Sequence, residues 1–156
     1  ILGKSLGNGL PLGVVAFSKN INHNFPGAQS STFQGNILSI NSSLIFIKYL
    51  EKIEYLKKIK KIEKIMNFET NKLKKFKFVK EIRGMGFMWG IEINNKYFAK
   101  KDFTNVIRSN LLKNKLITWE SGFDSNVIGL VPPITISNSS IKNAFNVIDK
   151  IFSAIK

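Results

Sequence analysis

Between Phe87 and the C-terminus the spacing of apolar residues changes period repeatedly, and this alternation limits the folds open to the chain. Phe87 to Ile93 (FMWGIEI) reads as a strand. Asp102 to Asn114 reads as a helix, with Asp102 as N-cap and Val106, Leu111 and Leu112 among its buried positions. Leu116 to Trp119 and Val127 to Val131 read as two short strands around a polar loop, the second ended by Pro132-Pro133. Ser137 then caps a last helix, Ser140 to Ile155, whose apolar residues Ile141, Phe145, Ile148 and Phe152 recur at helical steps. A helix with one apolar stripe must bury it against another element, so alternating strands and helices predict a small α/β sandwich.

The first half is patterned differently. Leu10 to Ser18 (LPLGVVAFS), after the turn Gly7-Asn8-Gly9, predicts a buried strand. Ser30 to Asn36 (SSTFQGN) predicts a polar turn, and Ile37 to Leu50 a helix packed on several sides. Lys52 to Lys77 predicts a solvated amphipathic helix with Ile53, Leu56, Ile59 or Lys60, Ile62 or Glu63, and Ile65 or Met66 near helical spacing and lysines between them. Arg83-Gly84-Met85-Gly86 is expected to be a break before the following strand. The start, Ile1-Leu2-Gly3, reads as a strand cut near its end, so the chain is expected to be a piece of a longer one.

Composition sets the remaining bounds. Hydrophobic residues make up 44% of the 156, which favours a globular chain over a disordered one. No run approaches the roughly 18 apolar residues of a membrane span, and no basic-then-apolar leader opens the chain; a cytoplasmic location is expected. Without cysteine there is neither a disulfide framework nor a thiolate metal site, and no metal is expected. The net charge is +14, but it is nearly all lysine, with Arg83 and Arg108 the only arginines. Arginine supplies the forked contacts that read phosphates and base edges. Abundant Lys, Asn, Ile and Phe are also what an A+T-rich genome encodes. The charge is therefore read as compositional, and nucleic acid is not the expected partner.

The chemistry is concentrated at the start. In Gly3-Lys4-Ser5-Leu6-Gly7-Asn8-Gly9-Leu10-Pro11-Leu12-Gly13, a lysine at a strand end is followed by glycines that let backbone crowd against a ligand. An amine that attacks an aldehyde must react in its uncharged form, and the residues alone leave open whether Lys4 does so or sits on a surface turn.

The segment resembles the lysine motif of class III aminotransferases, with Asn8 in place of one glycine. Three more segments are similar to that family's motifs, in its order: Gly27-Ala28-Gln29-Ser30-Ser31-Thr32-Phe33-Gln34-Gly35-Asn36, Ile82-Arg83-Gly84-Met85-Gly86-Phe87-Met88-Trp89-Gly90-Ile91-Glu92, and Asn126-Val127-Ile128-Gly129-Leu130-Val131-Pro132-Pro133. The resemblance, to enzymes of the ornithine, 4-aminobutyrate and diaminobutyrate type, implies an α/β fold, that of the fold type I pyridoxal-phosphate-dependent transferases. Residues 1–50 would be the end of the large cofactor-binding domain with its connecting helix, and 51–156 the small C-terminal α/β domain. The Thr-Phe-Gln-Gly-Asn form leans toward the diaminobutyrate enzymes rather than the acetylornithine ones.

The resemblance also implies roles. Lys4 would hold pyridoxal 5'-phosphate as a Schiff base and then act as general acid and base. Thr32, with Ser31 beside it, would bind the cofactor phosphate of the neighbouring subunit in a homodimer. Taken alone, Thr32 could equally be a helix cap. Arg83 and its glycines would shape the entry to a strand rather than touch substrate, and His23 would lie in an exposed loop. The partners implied are an amino donor, a 2-oxo acid and a second subunit, with no membrane. One departure stands out: at Gly129 the family commonly has an arginine that grips the substrate carboxylate. The family's acidic partner of the pyridine nitrogen, its ring-stacking aromatic and its main phosphate turn precede the lysine, so this piece alone is expected to be inactive. The alternative is a non-catalytic basic module that binds nucleic acid or an acidic partner.

Overall fold

The computed structural model describes residues 1–21, 31–52, 54–94 and 102–155. The chain divides into two compact units, Ile1–Tyr55 and Leu56–Lys156.

In the first unit, β1 (Leu2–Gly3) and β2 (Gly13–Val14) pair antiparallel, with Leu2 opposite Val14 and Gly3 opposite Gly13. Between them the chain makes a 3-10 turn over Lys4–Gly7. The predicted buried strand over Leu10 to Ser18 is thus a two-residue strand, and Leu10, Val14, Val15 and Phe17 are exposed. Among the described residues no second sheet layer covers that run within the unit, so its apolar composition does not translate into burial. Helix α1 (Ile37–Lys52) forms where the pattern predicts it, but not with the predicted packing. Its buried residues are Ser39 and Ser43, while Ile37, Leu38, Leu44 and Ile45 face solvent. The small serines, one helical turn apart, let α1 approach the Lys4–Gly7 turn closely.

In the second unit, α2 (Tyr55–Lys72) buries Ile62, Met66, Glu69 and Thr70 and continues into a 3-10 turn over Leu73–Lys75. Leu56, expected on the apolar face, is exposed, and Ile53 lies outside the described residues. A four-stranded antiparallel sheet follows, in the order β3-β4-β6-β5: β3 is Val79–Met85, β4 Met88–Ile93, β5 Trp119–Ser121 and β6 Val127–Leu130. The expected break at Arg83–Gly86 is the end of β3 and the turn of a hairpin. The strand itself went unpredicted because three of the seven residues of VKEIRGM are charged and it lies at the sheet edge, where one face meets water.

Pairing of Ile82 with Ile91, Ile91 with Ile128 and Trp89 with Leu130 aligns these residues along one sheet face. Helices α3 (Phe103–Lys113) and α4 (Asn138–Ser153) supply the rest of the buried core, α4 through Ile141, Phe145, Ile148, Ile151 and Phe152. The predicted α3 face is partly wrong: Leu111 is fully buried, but Val106 is 52% and Leu112 60% exposed, and Phe103, Thr104 and Ile107 point inward instead. Asp102 sits at the N-cap position without a side-chain cap bond, whereas the Ser137 hydroxyl accepts from the Ser140 amide as predicted. Phe78 meets Phe152 and Phe103 edge-on, with ring centres 5.1 and 5.7 Å apart, and this cluster joins β3 to α3 and α4.

Candidate active site

Lys4 begins the turn that follows β1, at φ +52°. A non-glycine residue in the left-handed region is uncommon, and such strain concentrates where geometry serves a ligand. The turn is held by the Asn8 amide donating to the Ser5 carbonyl and the Leu10 amide to the Gly7 carbonyl, both at 3.0 Å. Gly3 and Gly7 are needed for closeness rather than for conformation: a Cβ on Gly3 would lie 3.3 Å from the Leu12 carbonyl oxygen, and one on Gly7 3.2 Å from the Leu12 Cβ. Asn8 sits at φ +50°, ψ +44°. Asparagine is the non-glycine residue that best tolerates that region, which accounts for its standing where the family motif has glycine. The Lys4 side chain is exposed and makes no hydrogen bond or ion pair among the described residues.

Ser31 and Thr32 lie in a turn just before α1, closed by the Gln34 amide donating to the Ser31 carbonyl at 3.0 Å, with Gly35 at φ +73°. The cap of α1 is Asn36. Its Oδ1 accepts from the Leu38 and Ser39 amides at 3.0 and 3.2 Å. Thr32 is therefore not spent on capping, and its hydroxyl is exposed and unpaired among the described residues. An open hollow of ≈ 930 Å³ runs between the β2 strand and this turn, lined among others by Val14, Val15, Ser31, Phe33 and Gln34. Lys4 and Thr32 do not line it. Gly27 to Ser30 and His23 lie outside the described residues.

In the second unit, the Arg83 segment is built for the sheet. Arg83 Nη1 donates to Glu92 at 2.7 Å and to Glu81 at 3.1 Å, and Lys80 Nζ donates to Glu92 at 2.6 Å. Hydrogen bonds from Lys80 first and Arg83 next hold the Glu92 carboxyl below its ordinary 4.5, outweighing the opposite effect of burial. The same contacts raise Lys80 and Arg83. Gly84 lies under the Trp89 indole, where a Cβ would come within 2.4 Å of Cδ2, and Trp89 Nε1 donates to the Gly86 carbonyl at 3.0 Å. Gly86, at φ +57°, turns the hairpin and gives its amide to Glu63. Sequence reasoning missed Glu92 as the centre of this network; the signal was an acidic residue alternating with Ile91 and Ile93 in an otherwise apolar strand.

Gly129 is buried in β6, opposite Gly90 on one side and Trp119 on the other. Arg83 pairs with Gly90 in the same cross-strand row. A Cβ at Gly129 would lie 3.2 Å from both the Cβ and the carbonyl oxygen of Trp119. A larger side chain there requires Trp119 to give by a few tenths of an ångström.

Fold and motifs meet in the comparisons with known proteins. The model of the class III aminotransferase family matches residues 1–152, and the chain belongs to that family. It is 31% identical over 157 aligned residues to the acetylornithine aminotransferase of Methanocaldococcus jannaschii, covering 99% of this chain and 37% of that protein. The diaminobutyrate–2-oxoglutarate aminotransferase of Rhizobium meliloti is 23% identical, so overall identity does not follow the lean toward diaminobutyrate enzymes read from one motif. Among solved structures, the adenosylmethionine-8-amino-7-oxononanoate aminotransferase of M. jannaschii superposes with a TM-score of 0.70 at 26% identity, over 81% of this chain and 30% of that one. These neighbours give the fold as that of the type I pyridoxal-phosphate transferases. The chain spans well under half the length of the relatives it matches.

Proposed function

We propose that the protein containing this chain transfers an amino group from an amino acid or ω-amine to a 2-oxo acid, with pyridoxal 5'-phosphate carried by Lys4. The observation that supports this most is the Lys4 turn: a lysine held at positive φ, its amine free of partners among the described residues, on a backbone that Gly3, Gly7 and Asn8 keep tight. The donor set fits the cofactor. An unpaired primary amine suits its aldehyde, and the Ser31 and Thr32 hydroxyls on an exposed turn suit its phosphate.

When bound, the cofactor supplies an electron sink for the carbon that bears the amino group. Lys4, once displaced by the incoming amine, would take the proton from that carbon and return it to the cofactor carbon on the far side of the nitrogen, so the same side-chain nitrogen would serve as base and then acid. Thr32 and Ser31 hold the phosphate of the neighbouring subunit's cofactor by hydroxyl donation. A non-catalytic basic module does not explain a family match over 152 residues.

The test is chemical trapping on the full-length protein. Borohydride adds hydride to the carbon–nitrogen double bond between lysine and cofactor and fixes it as a stable secondary amine. Peptide mapping should find the added mass on Lys4 and none after Lys4→Ala. Label on another lysine, or none on a protein that binds the cofactor, counts against the assignment.

A further inference from the structure

We propose that the outward face of α2 is a binding site for single-stranded nucleic acid, independent of the aminotransferase reading. At 3.6 residues per turn, Lys60, Lys61, Lys64, Phe68 and Lys72 fall on the side of α2 opposite the buried Ile62, Met66 and Thr70. Of the acids of α2, Glu63 accepts the Gly86 amide, and Glu69 is buried and meets the arc only at its C-terminal end, where it pairs with Lys72 at 2.7 Å. Lys60, Lys61 and Lys64 are exposed and have no ion pair among the described residues. Lysines three and four apart on a helix repel one another. A bound polyanion relieves that repulsion and releases its own counterions.

The charge has an aromatic beside it. Phe68 is 65% exposed, with the Lys72 ammonium 4.3 Å from its ring centre. The exposed part of such a ring is what an unstacked base would stack on. Lys64, Asn67, Phe68, Asn71 and Lys72 line one shallow hollow of ≈ 500 Å³. Cations for phosphates, a ring for a base and amides for its edge are thus side by side. The near-absence of arginine fits recognition without sequence preference, which needs backbone charge and stacking rather than forked base contacts. A membrane surface is the poorer match: the ring carries the Lys72 ammonium over its face and shares its hollow with Asn67 and Asn71 rather than with further apolar side chains. The placement of the lysines, not their number, revises the compositional reading of the charge.

The experiment is fluorescence anisotropy of the full-length protein with a labelled oligouridylate of about 20 nucleotides, titrated between about 50 and about 200 mM salt. Binding should weaken with salt, and the slope of log affinity against log salt should fall by about 2 in Lys60→Gln/Lys61→Gln/Lys64→Gln, at roughly 0.7 per lost phosphate contact. Lys19→Gln/Lys113→Gln/Lys142→Gln carries the same net charge and should bind as wild type. Phe68→Ala should lose affinity roughly tenfold with an unchanged salt slope. Circular dichroism checks that each variant is folded. Equal losses in the two triple variants would reduce the effect to bulk charge and overturn the site. So would absence of binding at the lowest salt, or binding to phosphatidylserine vesicles without affinity for the oligonucleotide.

Discussion

Glu92 shows how much of one unit can hang on one side chain. Its carboxylate accepts from Lys80, Arg83 and, at 3.4 Å, Asn126, which ties β3, β4 and the approach to β6 together. Because its folded pKa is depressed, its ionised form stabilises the fold fully above the ordinary carboxylate range, and that contribution is lost as pH falls through the lower folded value. Urea titrations at successive pH values from about 5 to about 2 should therefore show a shallower acid loss in Glu92→Gln than in wild type. Parallel curves would mean that the network carries no net stability. Gly84→Ala should cost about 1 to 3 kcal/mol in the same assay and shift Trp89 fluorescence, because the added methyl meets both the indole and the Met88 carbonyl. Gly129 is the residue whose chemistry bears on substrate. If the family's arginine position faces the substrate, Gly129→Arg should raise kcat/KM for 2-oxoglutarate in the full-length enzyme, by roughly tenfold for one charge-assisted contact. A wild type that is already efficient, and is slowed by arginine, would show that another residue grips the carboxylate or that the crowding against Trp119 dominates.

Elements were legible in the sequence where one pattern decided them and illegible where tertiary context did. Helix α4 could be read to its cap because Ser137 and the Ile141, Phe145, Ile148, Phe152 stripe point the same way. The buried face of α3 could not, since Ile107 and Leu111 share it with Phe103 and Thr104 while Val106 and Leu112 turn out. Strand β3 hid behind its charges, and the motif that overlaps its second half was recognisable from its glycines without revealing that each glycine serves a different contact. The Lys4 segment was legible as a tight glycine turn. That Asn36 rather than Thr32 caps α1 was not, because both residue types cap helices and only the register of the helix start separates them. The distinction is measurable. Asn36→Ala should lose about 1 kcal/mol of stability, whereas Thr32→Ala should change stability by less than about 0.5 kcal/mol and instead weaken retention of the cofactor on dialysis. Comparable destabilisation by both would place Thr32 in the fold rather than in the site.

At the scale of the whole molecule, the first unit leaves Val14, Val15, Phe17, Ile37, Leu38, Leu44 and Ile45 exposed. Apolar side chains exposed in this number are what a covering surface would bury. The chain spans 37% of the M. jannaschii relative. The reading in which Thr32 serves the neighbour's cofactor requires a twofold dimer, each site taking its lysine from one subunit and its phosphate-binding hydroxyls from the other. That geometry makes a prediction no single-subunit site shares. Lys4→Ala and Thr32→Ala proteins, each impaired alone, should recover activity when unfolded, mixed in equal amounts and refolded. In the hybrid dimer, the site built on the intact Lys4 draws its intact Thr32 from the other subunit. Random assembly makes about half the dimers hybrid, with one wild-type site in each, so about a quarter of the wild-type activity should return. If Lys4 and Thr32 instead acted within one subunit, every hybrid site would carry one of the two lesions. Mixing would then yield only the average of the parents, while sedimentation still showed dimers.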